Sequence, residues 1–516
     1  MSTAQSSKQV LRNNIIANGI GRLWALLASV IFVPVYISYL GSEAYGLIVF
    51  QITVLASLQV LDAGLTSALS RELALRLADQ SPEHRRGGSV LNLVRTVEIL
   101  SISTGALTGL ALVLAAPLIA TKWLKSGGLP TGEAVAAIRI MGAVIAVQWP
   151  SFAYQGALTG LQQQVKLNAI KVATSSLQAI GVVGVLAWVS ATPRAYFLWV
   201  LLAQAINSIW LRHLVWRSLP APPGAVPRFH WMEVTGVWHF AAGMAGITFL
   251  SAVLTQTDKI VLSKMVPLAE FGAYGVAFTV CSVLAMAANP VLTAAVPRFT
   301  VLIGASRTEE LRNLYLTMCE LVALMTVPAW TVLAFHAHQL MGLWMGQGKE
   351  ADTIADLVQL LGAGSLANAL VLLPYGLQIA SGWTSLSVRK NVIAVALTIP
   401  ALLFLVPRYG TVGAASIWFA INLGYVLFEI PIMHSRLLKG AALAWYTRAV
   451  CLPLLVAGGI GFASRALFSP AFGKLGMLLE LVFWAAITAV ALVGVLPTIR
   501  RAVVRATLAR MASGWA

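Results

Sequence analysis

Residues 44–61 read AYGLIVFQITVLASLQVL, eighteen positions without a charge, and residues 273–296 read AYGVAFTVCSVLAMAANPVLTAAV, another twenty-four. Runs of that length cross a hydrocarbon core of about 30 Å as helices that satisfy their own backbone hydrogen bonds. A β-barrel would instead show short segments of alternating polarity, and the runs do not alternate. Both runs open on Ala-Tyr-Gly and are followed by an arginine, Arg71 or Arg298, so they are candidates for corresponding helices of a duplicated chain.

The whole chain has the same character. It is 59% hydrophobic and only 10% charged, with a mean hydropathy of +0.82, whereas soluble domains carry about 25% charged residues. No soluble core hides that much apolar surface. About fourteen such spans follow one another, the first near residues 14–38 and the last near 475–497. The expected fold class is an all-α polytopic membrane protein.

The formal charge of +17 is distributed by topology. Alternate loops hold Arg71, Arg76, Arg85 and Arg86, then Lys166 and Lys171, then Arg212, Arg217 and Arg228. Further along they hold Arg298, Arg307 and Arg312, then Arg389 and Lys390, then Arg436, Lys439 and Arg448. Lys8 and Arg12 begin the chain, and Arg500, Arg501, Arg505 and Arg510 end it. By the positive-inside rule these loops and both termini are expected to be cytoplasmic. Basic residues spread in this way meet anionic lipid; a nucleic-acid partner would need them gathered on one soluble domain.

Cys281, Cys319 and Cys451 lie far apart, each in a span, and read as small buried residues. They suggest neither a disulfide framework nor a metal site, and His336 with His338 is too sparse for one. The polar first nine residues and the long first span predict no cleaved leader.

Six spans precede the Pro-rich stretch Pro220–Arg228, which cannot continue a helix. It predicts an N-terminal six-helix lobe over 1–217, a cytoplasmic linker over 218–235 and a second six-helix lobe over 236–436. An extra helix pair at 437–497 and a basic tail at 498–516 complete the chain, the tail being a candidate to lie on the membrane surface. A second match supports duplication: Tyr154-Gln155-Gly156, Gly160 and Asn168 face Pro374-Tyr375-Gly376, Gly382 and Asn391. Six-helix repeats preserve orientation, so a pseudo-two-fold axis along the membrane normal relates the lobes, with a substrate site between them.

Several stretches resemble the O-antigen and capsular polysaccharide flippases of the multidrug/oligosaccharidyl-lipid/polysaccharide exporter superfamily. They are Asn14 to Arg22, Pro34-Val35-Tyr36, Leu40 to Leu47, Asp62-Ala63-Gly64, Asp258 to Leu262, Ala273-Tyr274-Gly275, Pro297, and Gly410 to Ala415. The resemblance covers roughly residues 10–440. It implies fourteen helices, twelve of them in two lobes around a cavity, and a polyprenyl-diphosphate-linked oligosaccharide as cargo for surface polysaccharide assembly. A polysaccharide polymerase and a chain-length regulator are the implied protein partners; no cofactor is expected.

Ionisable residues inside spans cost about 2.5–3.5 kcal/mol each on insertion scales and therefore mark cavities or partners. Arg22 in span one is the first candidate for the diphosphate, because a guanidinium offers a planar fork of donors and keeps its charge. An ion pair of Arg22 with Asp62 or Glu98 is the alternative. Arg95 is the second candidate, although three residues of helix separate it from Glu98 and the two can satisfy each other. Asp62, Glu98, Glu320 and Glu429 are the candidates for carrying a coupling ion. Asp258 and Lys259, near the end of span seven, are expected to snorkel to the interface.

Three rival functions remain on the sequence alone. A multidrug or cation antiporter of the same superfamily should favour acidic residues in its lobes, and this chain has an arginine in span one. A lipid II flippase would use the same mechanism on another sugar. A membrane glycan polymerase or ligase needs catalytic groups in sizeable outer loops; here those loops are short, and no phosphate loop, nucleophile elbow or zinc-protease helix occurs.

Overall fold

The computed structural model describes residues 30–78, 88–220, 226–468 and 473–501, together with Gly19, Gly21, Trp24 and Ala28. Arg22, Arg85, Arg86, most of span one, the linker residues 221–225 and the tail beyond Arg501 lie outside the described residues. Twelve of the described helices are long and apolar enough to cross a membrane. The one non-helical backbone pairing among the described residues is a bridge between Lys125 and Pro267.

The described chain falls into two compact units, dividing between Gly272 and Ala273. The first contains α1 (Val33–Leu40), α2 (Ser42–Leu58), α3 (Val60–Ala78), α4 (Gly88–Leu118), α5 (Thr131–Gln148), α6 (Pro150–Gly160), α7 (Gln164–Trp188), α8 (Pro193–Ser218) and α9 (Trp231–Met265). Local chemistry sets the breaks. Proline at the first turn opens α6 and α8, where a missing N–H costs nothing, and Thr192 caps α8 by accepting the Ala195 N–H at 3.3 Å.

Close packing in this unit uses small residues, as expected where lipid removes the hydrophobic drive between helices. Gly105 and Gly109 of α4 face Trp149, Gly142 and Ala146; a Cβ on Gly109 would lie 2.5 Å from the Gly142 carbonyl oxygen. On α3, a Cβ on Gly64 would lie 2.1 Å from the Ala241 carbonyl oxygen of α9. Arg71 stacks over Phe240 at 5.1 Å, and Arg76 pairs with Glu233 at 2.7 Å, so α9 is fastened along α3 in this conformation.

The second unit contains most of α10 (Leu268–Gly304), α11 (Thr308–Phe335), α12 (Ala337–Met345), α13 (Lys349–Ala380), α14 (Thr384–Gly424), α15 (Ile430–Leu437), α16 (Ala441–Trp445), α17 (Leu452–Leu467) and α18 (Gly473–Val495). Helix α14 is really two spans, because Gly410 breaks it with φ 55° and ψ −136°. Lys390 and Glu429 would be about 58 Å apart on a straight helix at 1.5 Å per residue. They touch at 2.7 Å, so the chain folds back at Gly410.

The internal repeat is visible in backbone detail. The turn after α6 has Leu161, Gln162 and Gln163 donating to Ala157, Thr159 and Leu158, with Gln162 at φ 56°. The turn after α13 has Ser381, Gly382 and Trp383 donating to Leu377, Ile379 and Gln378, with Gly382 at φ 72°. Gly382 therefore corresponds to Gln162, not to Gly160 as the sequence match suggests; the left-handed backbone, not the residue type, is what repeats. Gly156 and Gly376 correspond as expected. Each packs on the second long span of its own half, against Thr66 and against Leu292 with Val296.

Candidate functional site

The ionisable residues that mark the spans form separate clusters. In the first unit, Glu98 of α4 is buried and accepts four hydrogen bonds: from Arg95 at 2.6 Å, Tyr154 at 2.7 Å, Arg212 at 2.8 Å and Trp216 at 3.2 Å. A carboxylate taken out of water needs such partners, and two guanidiniums with two neutral donors supply them. Arg95 and Arg212 are 36% and 53% exposed, so part of each guanidinium remains open.

Asp62 on α3 is also buried but is poorly matched. Thr66 donates to its Oδ2, while Oδ1 meets no hydrogen-bond partner among the described residues. Arg22, the partner that the sequence offers, lies outside the described residues.

In the second unit, Glu429 sits in a π-turn, Tyr425–Glu429, that leads into α15. Lys390 donates to both carboxylate oxygens at 2.7 Å, and Gln378 donates to one of them at 2.7 Å while accepting from Ser387 at 2.8 Å. The ammonium also lies over Tyr425 at 4.6 Å and Tyr375 at 5.4 Å, where the ring faces favour a cation. Glu320 on α11 is fully buried and accepts the Thr498 N–H at 2.9 Å, the Thr498 hydroxyl at 3.0 Å and the Ile499 N–H at 3.3 Å. It caps the start of the last described helical turn, where unpaired N–H groups favour an anion, and Arg448 stands 3.9 Å away.

Among the candidates, then, the structure joins Arg95 to Glu98 and leaves Asp62, Glu320 and Glu429 in three other places. Two ion-pair partners were hidden by the sequence reading. Arg212 and Lys390 count there as loop charges that report topology, yet both turn inward to a buried glutamate. The signal available was their spacing from helix ends. Lys390 lies six residues into α14, which is deep enough to meet a residue on a returning helix.

Two further expectations change. Asp258 and Lys259 do not snorkel; both are buried and paired at 3.2 Å, and Lys259 also donates to the Thr255 carbonyl at 2.9 Å. Cys281 and Cys319 are buried, but Cys451 is exposed at the end of the π-turn Tyr446–Cys451. No group of three metal-binding side chains occurs among the described residues.

With the geometry in hand, comparison with known proteins is decisive for the family. The model of the family described as polysaccharide biosynthesis protein matches residues 11–303, more than half of the chain. The chain belongs to this family. A second family model, MatE, matches residues 244–403. A curated relative named "Putative O-antigen transporter", from Shigella flexneri, is 21% identical over 381 residues, 73% of this chain and 87% of its own length.

Among solved structures, the lipid II flippase MurJ in an inward closed conformation has a TM-score of 0.67 at 14% identity, covering 93% of this chain and 98% of its own. An inward-facing multidrug resistance MATE family transporter of the MOP superfamily has a TM-score of 0.62 at 13% identity, covering 86% and 96%. Those likenesses give the chain a two-lobe all-helical fold. With twelve described helices long and apolar enough to span a bilayer, the chain is a multi-pass membrane protein of that family.

Proposed function

We propose that the protein flips a polyprenyl-diphosphate-linked oligosaccharide from the cytoplasmic to the outer leaflet of a bacterial inner membrane by alternating access, with both termini inside. The family and the name carried by the Shigella flexneri relative support this reading. The observation that carries it beyond the family is the way buried acids are used. Glu98 faces two arginines, Glu429 faces a lysine, and Glu320 faces backbone N–H groups with Arg448 nearby. Carboxylates committed in this way are poor receptors for an organic cation, and basic side chains outnumber acidic ones by 35 to 18. An anionic head group suits that balance.

Arg22 is the proposed receptor for the diphosphate, with the open part of Arg95 as a second contact. Asp62, whose buried Oδ1 has no hydrogen-bond partner among the described residues, is the proposed carrier of a coupling cation. The membrane potential assists the cargo: moving one charge through 100 mV is worth about 2.3 kcal/mol, so two phosphate charges gain roughly 4–5 kcal/mol on leaving an inside-negative cell. The proposed lobe boundary remains the linker at 218–235, with the helix pair at 437–497 outside the repeat.

The test is complementation of a deletion strain, reading surface glycan and efflux of a cationic dye side by side. The proposal expects glycan display restored by the wild-type chain, lost with Arg22→Ala, and no dye efflux from either. Normal glycan display with Arg22→Ala removes Arg22 from the site, and dye efflux by the wild-type chain supports the antiporter instead.

A further inference from the structure

The two arms of α14 part below Gly410 and enclose a groove of about 870 Å³. Its walls are apolar: Ile393, Leu397, Ala401 and Leu405 on one arm, Ile417 and Ile421 on the other. From Ile393 to Leu405 the slot runs about 18 Å at 1.5 Å per residue, close to the roughly 15 Å depth of one leaflet. Polarity is concentrated at one rim, where Trp383, Arg389, Lys390 and Glu429 lie.

In the corresponding hairpin of the first unit, side chains bridge the two helices. Thr174 of α7 bonds Asn207 of α8 at 3.1 Å, Gln204 bonds Gln178 at 2.9 Å, and the Trp199 ring lies where a Cβ on Gly181 would be, 2.1 Å away. With the turn Gln162 matched to Gly382, Thr174 and Gly181 correspond to Ala394 and Ala401, which both line the groove. Where Thr174 bridges the first-half hairpin, the second half has Ala394, a small residue on the groove wall.

The rim selects what enters. Lys390 is neutralised by Glu429, whereas Arg389 is exposed and meets no carboxylate among the described residues. Arg436 is exposed as well and lies over the Trp383 ring at 4.3 Å. Positive side chains between membrane helices recognise acidic lipid head groups on the cytoplasmic side, the side to which the positive-inside rule assigns this rim. We propose that the groove holds one anionic phospholipid of the cytoplasmic leaflet, with its phosphodiester between Arg389 and Arg436 and an acyl chain along Ile393–Leu405. A zwitterionic lipid carries an ammonium that the two guanidiniums repel.

The full-length chain, purified in detergent, is to be examined by native mass spectrometry with phosphatidylglycerol, phosphatidylethanolamine and undecaprenyl phosphate as competing probes. One phosphatidylglycerol is expected to be retained about tenfold better than phosphatidylethanolamine. Arg389→Ala should lower that retention about tenfold, the scale of one charge-assisted hydrogen bond. Ala420→Trp, which fills the slot from an exposed lining position, should do the same. Arg436→Gln takes its place should that variant fail to fold, as judged by its lipid-free unfolding midpoint. Equal retention of the two phospholipids, unchanged retention in any folded variant, or displacement of phosphatidylglycerol by undecaprenyl phosphate overturns the proposal.

Discussion

Glu98 on α4 and Glu320 on α11 are both buried carboxylates, 1% and 0% exposed. Their partners differ in kind. Glu98 gathers guanidiniums from α4 and α8 of its own half, whereas Glu320 reaches outside the repeat to cap the turn at Thr498 and Ile499. Glu98→Gln therefore leaves two arginines facing a neutral amide and should cost about 3 kcal/mol, the scale of a broken buried pair. Glu320→Gln keeps an acceptor for the N–H groups and should cost about 1 kcal/mol, the scale of a weakened cap. Unfolding midpoints of the two variants in one detergent check the order, and equal losses would contradict it.

Lys390 and Glu429 make the clearest buried pair of the second unit. Lys390→Met strands the glutamate and should cost about 3–5 kcal/mol, while the double change Lys390→Met with Glu429→Leu should recover most of the loss. A double-mutant cycle on chemical unfolding measures the coupling; additive losses would show that the pair does not act as a unit.

Helix α4 meets α5 through Gly109 and Gly142, each with the other's carbonyl oxygen in the space of its missing Cβ. Gly109→Ala should force the helices apart and cost about 2 kcal/mol, on the scale of overpacking. Gly459→Ala on α17 has nothing within 4 Å and is the control, expected to be neutral or stabilising by up to about 1 kcal/mol. Comparing the two midpoints separates packing from helix propensity.

His336, between α11 and α12, is buried with Nε2 2.8 Å from the Ser464 hydroxyl and Nδ1 without a hydrogen-bond partner among the described residues. Burial pulls its pKa below the usual 6.5, and nearby Glu480 offsets part of that effect. The folded state then binds a proton less readily than the unfolded chain. Its contribution is present above about pH 6.5 and is lost as pH falls below that value. The midpoint of the wild-type chain should drop between pH 7.5 and 5.5 by more than that of His336→Gln; parallel curves would exclude this histidine.

Most of the helical architecture was legible because the bilayer imposes long uncharged runs, and these survive in a bare sequence. The Gly156–Gly376 correspondence was legible because close helix approach demands a particular residue. The Gln162–Gly382 correspondence was not, because two different residues adopt one backbone conformation. Ion-pair partners were least legible. Arg212 and Lys390 satisfy the topology rule and a buried glutamate at once, and only the tertiary fold shows the second role. Gly105 and Gly109, a small-residue pair four apart, carried a readable packing signal that composition obscured among forty-two glycines.

Asp62 decides between the two readings of span one. If its Oδ1 is open in the folded protein, Asp62→Asn removes a buried charge with no cation to meet it. Stability should then rise by about 1 kcal/mol while glycan display falls, the pattern expected where a functional group is held at a cost in stability. If Arg22 is its partner, the same substitution strands a guanidinium and lowers stability, as Glu98→Gln does. Arg22→Ala should then lose stability as well, and the double variant should lose less than the sum. Unfolding midpoints of the three variants, read beside surface glycan, distinguish an arginine kept for a diphosphate from one kept for an aspartate.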